Sequence, residues 1–181
     1  MMKSILALVV LAAVSVPAMA EDAGNRYFGA AAGTAIFSNT SPSTNTNVFS
    51  IISGYHFNPL LAVEIDLSVF GNFTVGNGVS SSTVTGNSLQ IPLVGYLPVS
   101  QDFDLIGKIG LAMNNSTSST TLPGQADPNL TQYDVFVGLG AQYNINPEFS
   151  LLALYDNYGR FENTASPINA SSFTLGLVYH H

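Results

Sequence analysis

From residue 27 onward, apolar side chains recur at every second position in runs of about ten residues, the period of extended strands with one apolar face. The clearest run is 61–70, where Leu61, Val63, Ile65, Leu67 and Val69 alternate with Ala62, Glu64, Asp66 and Ser68. The same alternation predicts strands over residues 27–37, 48–57, 88–97, 103–113, 133–143, 148–158 and 172–181. In the first of these, Phe28, Ala30, Ala32, Thr34 and Ile36 oppose Tyr27 and then the small residues Gly29, Ala31, Gly33 and Ala35. In the last, Phe173, Leu175, Leu177 and Tyr179 oppose Ser172, Thr174, Gly176 and Val178. Asn58-Pro59 and residues 98–102 and 144–147 read as short turns. Segments 38–47, 71–87, 114–130 and 159–169, rich in Gly, Ser, Thr and Asn, read as long polar loops. The expectation is eight strands in four hairpins, with long loops at one end and short turns at the other.

The first residues do not belong to this pattern. Lys3 precedes an apolar run over residues 5–16, broken only by Ser15, and Ala18-Met19-Ala20 follows as a small-x-small cleavage site. Residues 1–20 therefore read as a secretory signal peptide, leaving one mature domain over 21–181. The run is shorter than the roughly 20 apolar residues that a spanning helix needs.

Composition decides which side of the strands faces out. Only 8% of residues are charged, against about 25% in an ordinary soluble domain, so a water-facing exterior is hard to build. In a soluble sandwich the apolar faces would point inward and the exterior would carry charge. Strands of about ten residues with a continuous apolar face and a small or acidic opposite face instead fit a membrane barrel, in which the apolar face meets lipid. The expected fold is all-β: an eight-stranded antiparallel up-and-down transmembrane β-barrel. There is no cysteine, which removes the disulfide-stapled class. After residue 20 only Arg26, Lys108 and Arg160 oppose eleven acids, so nucleic acid is excluded as a partner.

Several motifs carry a family resemblance. The closing strand, with apolar and aromatic residues running to the end and Gly176 inside, resembles the last strand of bacterial outer-membrane barrels. There this segment pairs with the first strand and is read by the barrel assembly machinery. That resemblance assigns Phe173, Gly176, Tyr179 and His181 to the closing strand and assembly signal, although His181 stands where Phe is usual. Gly54-Tyr55-His56-Phe57-Asn58-Pro59 with Glu64 resembles the second hairpin of the OmpA membrane domain. Gly95-Tyr96, Pro98, Phe103-Asp104-Leu105 and Lys108-Ile109-Gly110 resemble its central turn and fifth strand, and 135–138 through Gln142-Tyr143, Pro147-Glu148 and Tyr155 its last turn. The resemblance implies a small Gram-negative outer-membrane protein, consisting of the membrane domain without the family's peptidoglycan-binding module. It also implies contact with outer-membrane lipid and lipopolysaccharide, and a surface ligand, if any, engaged through the loops 38–47, 71–87, 114–130 and 159–169.

Inward positions hold the remaining chemistry. A lumen polar network is expected from His56, Glu64, Asp66, Asp104, Lys108, Asp134, Gln142 and Asp156, with Lys108 as the inward cation. Leu152 and Leu154 occupy positions where the family commonly has Arg and Glu, which reduces that network. Glu64 and Asp66 share a face, but paired inward acids suit lumen packing better than acid–base chemistry. A barrel hydrolase acting on lipid A would need a histidine beside a serine and an orienting acid. His56 is followed by Phe57 and Asn58, and His180-His181 reads as a tail at the periplasmic rim. No enzyme, cofactor or metal is therefore expected. The expected role is structural or surface-interacting, with a side-chain-filled lumen, since eight strands enclose a space that side chains just fill. A narrow channel or minor porin of the OmpW kind is the alternative.

Overall fold

A computed structural model describes residues 26–38, 44–76, 81–120, 129–161 and 168–181. The strands are β1 (Arg26–Ser38), β2 (Thr44–Asn58), β3 (Leu61–Phe70), β4 (Phe73–Gly76), β5 (Ser81–Pro98), β6 (Phe103–Thr120), β7 (Asn129–Asn144), β8 (Phe149–Arg160) and β9 (Asn169–His180). All pairings are antiparallel and, apart from the β1–β9 seam, follow the sequence; β3 and β4 pair in succession with β5, so they act as one barrel strand broken at Gly71 and Asn72. The sheet closes where β1 meets β9, in a continuous register from Tyr27 opposite His180 to Ser38 opposite Asn169. Eight barrel strands result, as the alternation predicts. The signal-peptide region lies outside the described residues.

Closure satisfies the backbone, and the alternation sorts the side chains. Phe28, Ile65, Ile109, Leu111, Leu139, Leu175 and their neighbours point out and are exposed, whereas Tyr27, Ile52, Val94, Phe136 and Leu154 point in and are buried. An exposed apolar surface of this extent around a whole barrel belongs in lipid, not water. One ladder is interrupted. The β3–β5 register skips Glu64 and Ile65, where Pro92 on β5 has no amide hydrogen to donate.

The strands run longer than expected at the end that carries the long connections. Residues 44–47, 73–76, 81–87, 114–120 and 129–130 are strand, not loop, and the β5–β6 pairing continues from Pro98 opposite Asp104 up to Ser82 opposite Thr120. Ser, Thr and Asn there form hydrogen-bonded rungs. Asn115 donates to Asn87 Oδ1 at 3.3 Å and accepts from Thr131 Oγ1 at 2.7 Å, while Thr85 donates to Asn72 Oδ1 at 2.8 Å. The apolar belt stops at Leu89 and Met113, so this polar ribbon continues beyond it. The cores of the predicted loops, 39–43, 77–80, 121–128 and 162–167, lie outside the described residues.

At the other end the turns are short. Asn58 Oδ1 accepts from Leu60 N at 2.8 Å, fixing the turn at Asn58-Pro59, and Asn146 Oδ1 does the same for Glu148 N and Phe149 N. The remaining turn, at residues 99–102, is closed by Val99 N donating to Phe103 O at 2.9 Å.

Leu139, 70% exposed, lies at the middle of the outward positions of β7. Replacing it with Arg should cost about 2 to 4 kcal/mol in bilayer folding titrations, whereas the same change at the outward Tyr133, opposite Met113 where the belt ends, should cost about 1 kcal/mol or less. Equal losses at the two positions would mean that this face does not cross hydrocarbon.

Candidate functional site in the lumen

The barrel interior is filled by an aromatic storey, a charged storey and an apolar cluster, each fixed by inward positions on several strands. Nearest the long connections, Phe37, Phe70, Phe136, Tyr158 and Phe161 pack as an aromatic layer with Val48, Ala112, Ile168 and Ala170. Phe70 meets Tyr158 at a ring separation of 5.1 Å and 87°, and Phe161 at 5.2 Å and 88°. These edge-to-face contacts are each worth about 0.5–1.5 kcal/mol beyond burial. Within this layer Asn114 and Ser88 are completely buried yet bonded: Ser88 donates to Asn114 Oδ1 at 2.5 Å, and Asn114 Nδ2 donates to Tyr158 O and Arg160 O.

The middle storey is charged. Lys108 on β6, 4% exposed, donates from Nζ to Glu64 Oε2 and, at 3.1 Å, to Asp66 Oδ2 on β3. Glu64 Oε1 in turn accepts from the Tyr27 hydroxyl at 2.6 Å, which accepts from the Tyr96 hydroxyl at 3.0 Å. Asp156 on β8 is buried beside this group, and a Cβ at Gly138 would stand 2.4 Å from its Oδ1 and 3.3 Å from Lys108 Cβ. Only glycine leaves both side chains their places.

An apolar cluster of Tyr27, Ile52, Val94, Ile106, Leu152, Leu154 and Val178 packs beside the charged group and on toward the short turns. Leu152 and Leu154 thus fill the volume with apolar bulk where the resembled family carries charge. His56 closes this cluster on its short-turn side, with ring centroids 4.8 Å from Tyr27, 4.9 Å from Tyr96 and 6.2 Å from His180.

The expected network is therefore divided by height. Glu64, Asp66 and Lys108 form one bonded group, with Asp156 beside it and His56 below. Asp104 and Gln142 belong to a separate cluster at the short-turn rim: Asn144 donates to Asp104 Oδ2 at 3.0 Å and accepts from Gln142 Nε2 at 2.9 Å. Asp134 is not part of the lumen network. It lies at the opposite rim, where its Oδ2 accepts from Arg160 Nε at 2.8 Å and from Arg160 N at 3.0 Å. Gly159, at φ +72°, forms the bulge that brings Arg160 there.

His180 is not a tail. It is the last residue of β9 and points inward, and Ser150 Oγ lies 3.0 Å from its Nε2. The serine and histidine pair that a hydrolase requires is thus present in outline, beside an open pocket of about 420 Å³ at the rim. Its bonding is unsuited to attack. Ser150 gives its proton to Asn144 Oδ1 at 2.7 Å, so the histidine must donate to the serine oxygen instead of accepting from it. His181 continues the closure, donating from its backbone to Arg26 O at 2.9 Å. Phe173 and Tyr179 face outward, opposite Thr34 and Phe28 on β1. Gly176 faces inward, where a Cβ would lie 2.6 Å from Ala30 O. No group of three or more acidic or histidine side chains suited to a metal ion occurs among the described residues.

Tyr27, Tyr96, Gln90 and Tyr158 are lumen residues that the sequence analysis did not single out. The available signal was position: each falls on the inner face of its strand, where a large polar side chain must find partners.

A family model for the outer membrane protein beta-barrel domain matches residues 6–180. Among solved structures, the chain is similar to Neisserial surface protein A, with a TM-score of 0.72 at 20% identity over 89% of this chain and 100% of that one. It is also similar to Ail, the attachment invasion locus protein of Yersinia pestis, solved with the heparin analogue sucrose octasulfate, at TM-score 0.63, 15% identity, and 88% and 100% coverage. The N-terminal barrel of Pseudomonas aeruginosa OprF gives 0.62 at 13% identity, with 88% and 100% coverage. No curated protein matches the chain by sequence.

Lys108→Met leaves Glu64 and Asp66 buried without their cation, and should destabilise the folded barrel by about 3 to 5 kcal/mol. Adding Glu64→Gln should recover part of that loss in urea unfolding from vesicles. A double variant no more stable than the single one would show that the pair is not the interaction holding this storey.

Proposed function

Because the chain belongs to the outer membrane protein β-barrel domain family, we propose that it is a structural and surface-contacting component of the bacterial outer membrane, with a closed lumen and no catalytic role. The observation that carries this reading is the filling of the lumen: an aromatic layer, a paired charged group and an apolar cluster beside and below it occupy the interior. Solute passage needs a continuous wet path, and none of these supplies one. The orientation of the Ser150 proton supports the absence of hydrolysis.

On this reading residues 1–20 direct export, the closing strand with Phe173, Gly176, Tyr179 and His181 engages the assembly machinery, and the apolar belt sits in outer-membrane lipid and lipopolysaccharide. Contacts outside the membrane fall to the long-connection end, where the β5–β6 ribbon offers Asn, Ser and Thr. Their chemistry suits a neutral, hydrogen-bonding surface partner. A polyanion of the kind bound by Ail is a poor fit here, because Lys108 is buried and the exposed Arg160 is already paired with Asp134.

Purified folded protein in planar bilayers should show no stable conductance steps, and it should not be retained by immobilised heparin at physiological salt. A steady, large conductance in the unmodified protein would replace this reading with a channel. Salt-sensitive retention on heparin would move the surface role to anionic ligands.

A further inference from the structure

One buried polar cluster is left unexplained by the plug. Gln90 on β5 is 0% exposed, and neither its amide nitrogen nor its amide oxygen has a hydrogen-bond partner. Asp66 Oδ1 and Asp156 Oδ1 are buried and unpartnered as well. All three side chains line one cavity of about 10 Å³, together with Ser68, Phe136 and Tyr158. A donor and three acceptors cannot stay unpaired in a low-dielectric interior without strong penalty. The cavity is of the size that one water requires, and it is polar rather than dry.

We propose that this cavity is a built site for a single internal water molecule held by Gln90, Asp66 and Asp156. The amide decides the occupant. A cation would suit the carboxylate oxygens and Gln90 Oε1, but it would set positive charge against Nε2, which can only donate. Water accepts from Nε2 and gives its hydrogens to the surrounding oxygens.

The site also lies where two chains of hydrogen bonds end. On the short-turn side, Tyr96, Tyr27, Glu64, Lys108 and Asp66 are linked in order and stop at Asp66 Oδ1. On the other side, Tyr158 lies 3.4 Å from Ser68 and 3.0 Å from Ser172, and Ser68 lies 2.8 Å from Ser50. Tyr158 and Ser68 line the same cavity. A water there joins the charged storey to the hydroxyl chain, and Gln90 becomes the residue that positions it.

The test is water–protein NOE and ROE spectroscopy on the full folded chain in detergent micelles. The Gln90 side-chain amide protons should show cross-peaks to a water of long residence time, and Asp156→Asn, which keeps an acceptor oxygen, should retain water contacts at Gln90. In Gln90→Met, water contacts to the Tyr158 hydroxyl and neighbouring methyl groups should be lost. A folded wild type whose Gln90 amide signals are visible and free of water cross-peaks overturns the proposal. Unfolding midpoints should agree in sodium, potassium and choline chloride at equal ionic strength. A rise confined to sodium or potassium would assign the site to a cation and overturn the proposal equally.

Discussion

A backbone that crosses hydrocarbon has no water to bond, so every amide and carbonyl must find a partner within the protein. In this chain that constraint is met where β1 pairs with β9, in an unbroken register that turns an open sheet into a barrel. Much else follows from that seam. The chain end is held in the wall, with His180 N donating to Glu148 O and His181 N to Arg26 O. The outward faces are freed to be apolar, and the inward faces of eight barrel strands converge on a space narrow enough for side chains to fill.

How that space is filled separates a plug from a pore. Charge would be unfavourable in it without a partner, and the chain answers with one lysine set between two acids and braced by a tyrosine. Aromatic rings close the space above this group, and leucine, isoleucine and valine close it beside and below. Gly138 is part of the same solution, because the Lys108 and Asp156 side chains occupy the volume its Cβ would need.

Much of this was legible in the alternation. Leu61–Phe70 is a strand with the bounds read from its pattern, and Phe28, Ile65 and Leu177 face out as their positions require. Two things were not legible. Segments such as 81–87 and 114–120 read as loops by composition, yet Ser, Thr and Asn pair well as strand once they stand beyond the lipid and bond across to one another. The lumen network was read as one cluster because alternation gives the face of a residue, not its height in the barrel. Height depends on the stagger between strands. Asp134 and Lys108 share an inner face yet stand at different levels, and only the register tells them apart.

The central claim is that lipid touches the outer face and nothing aqueous passes through the inner one. Paramagnetic relaxation of methyl signals in lipid nanodiscs tests it without altering the protein. Lipid-borne spin labels should broaden the methyls of Ile109, Leu111, Leu139 and Leu175, while those of Ile52, Val94, Leu152 and Leu154 should be spared both by these labels and by a soluble gadolinium chelate. Broadening of the inward methyls by the soluble chelate would contradict the account, because it would reveal bulk solvent and solute entering the barrel.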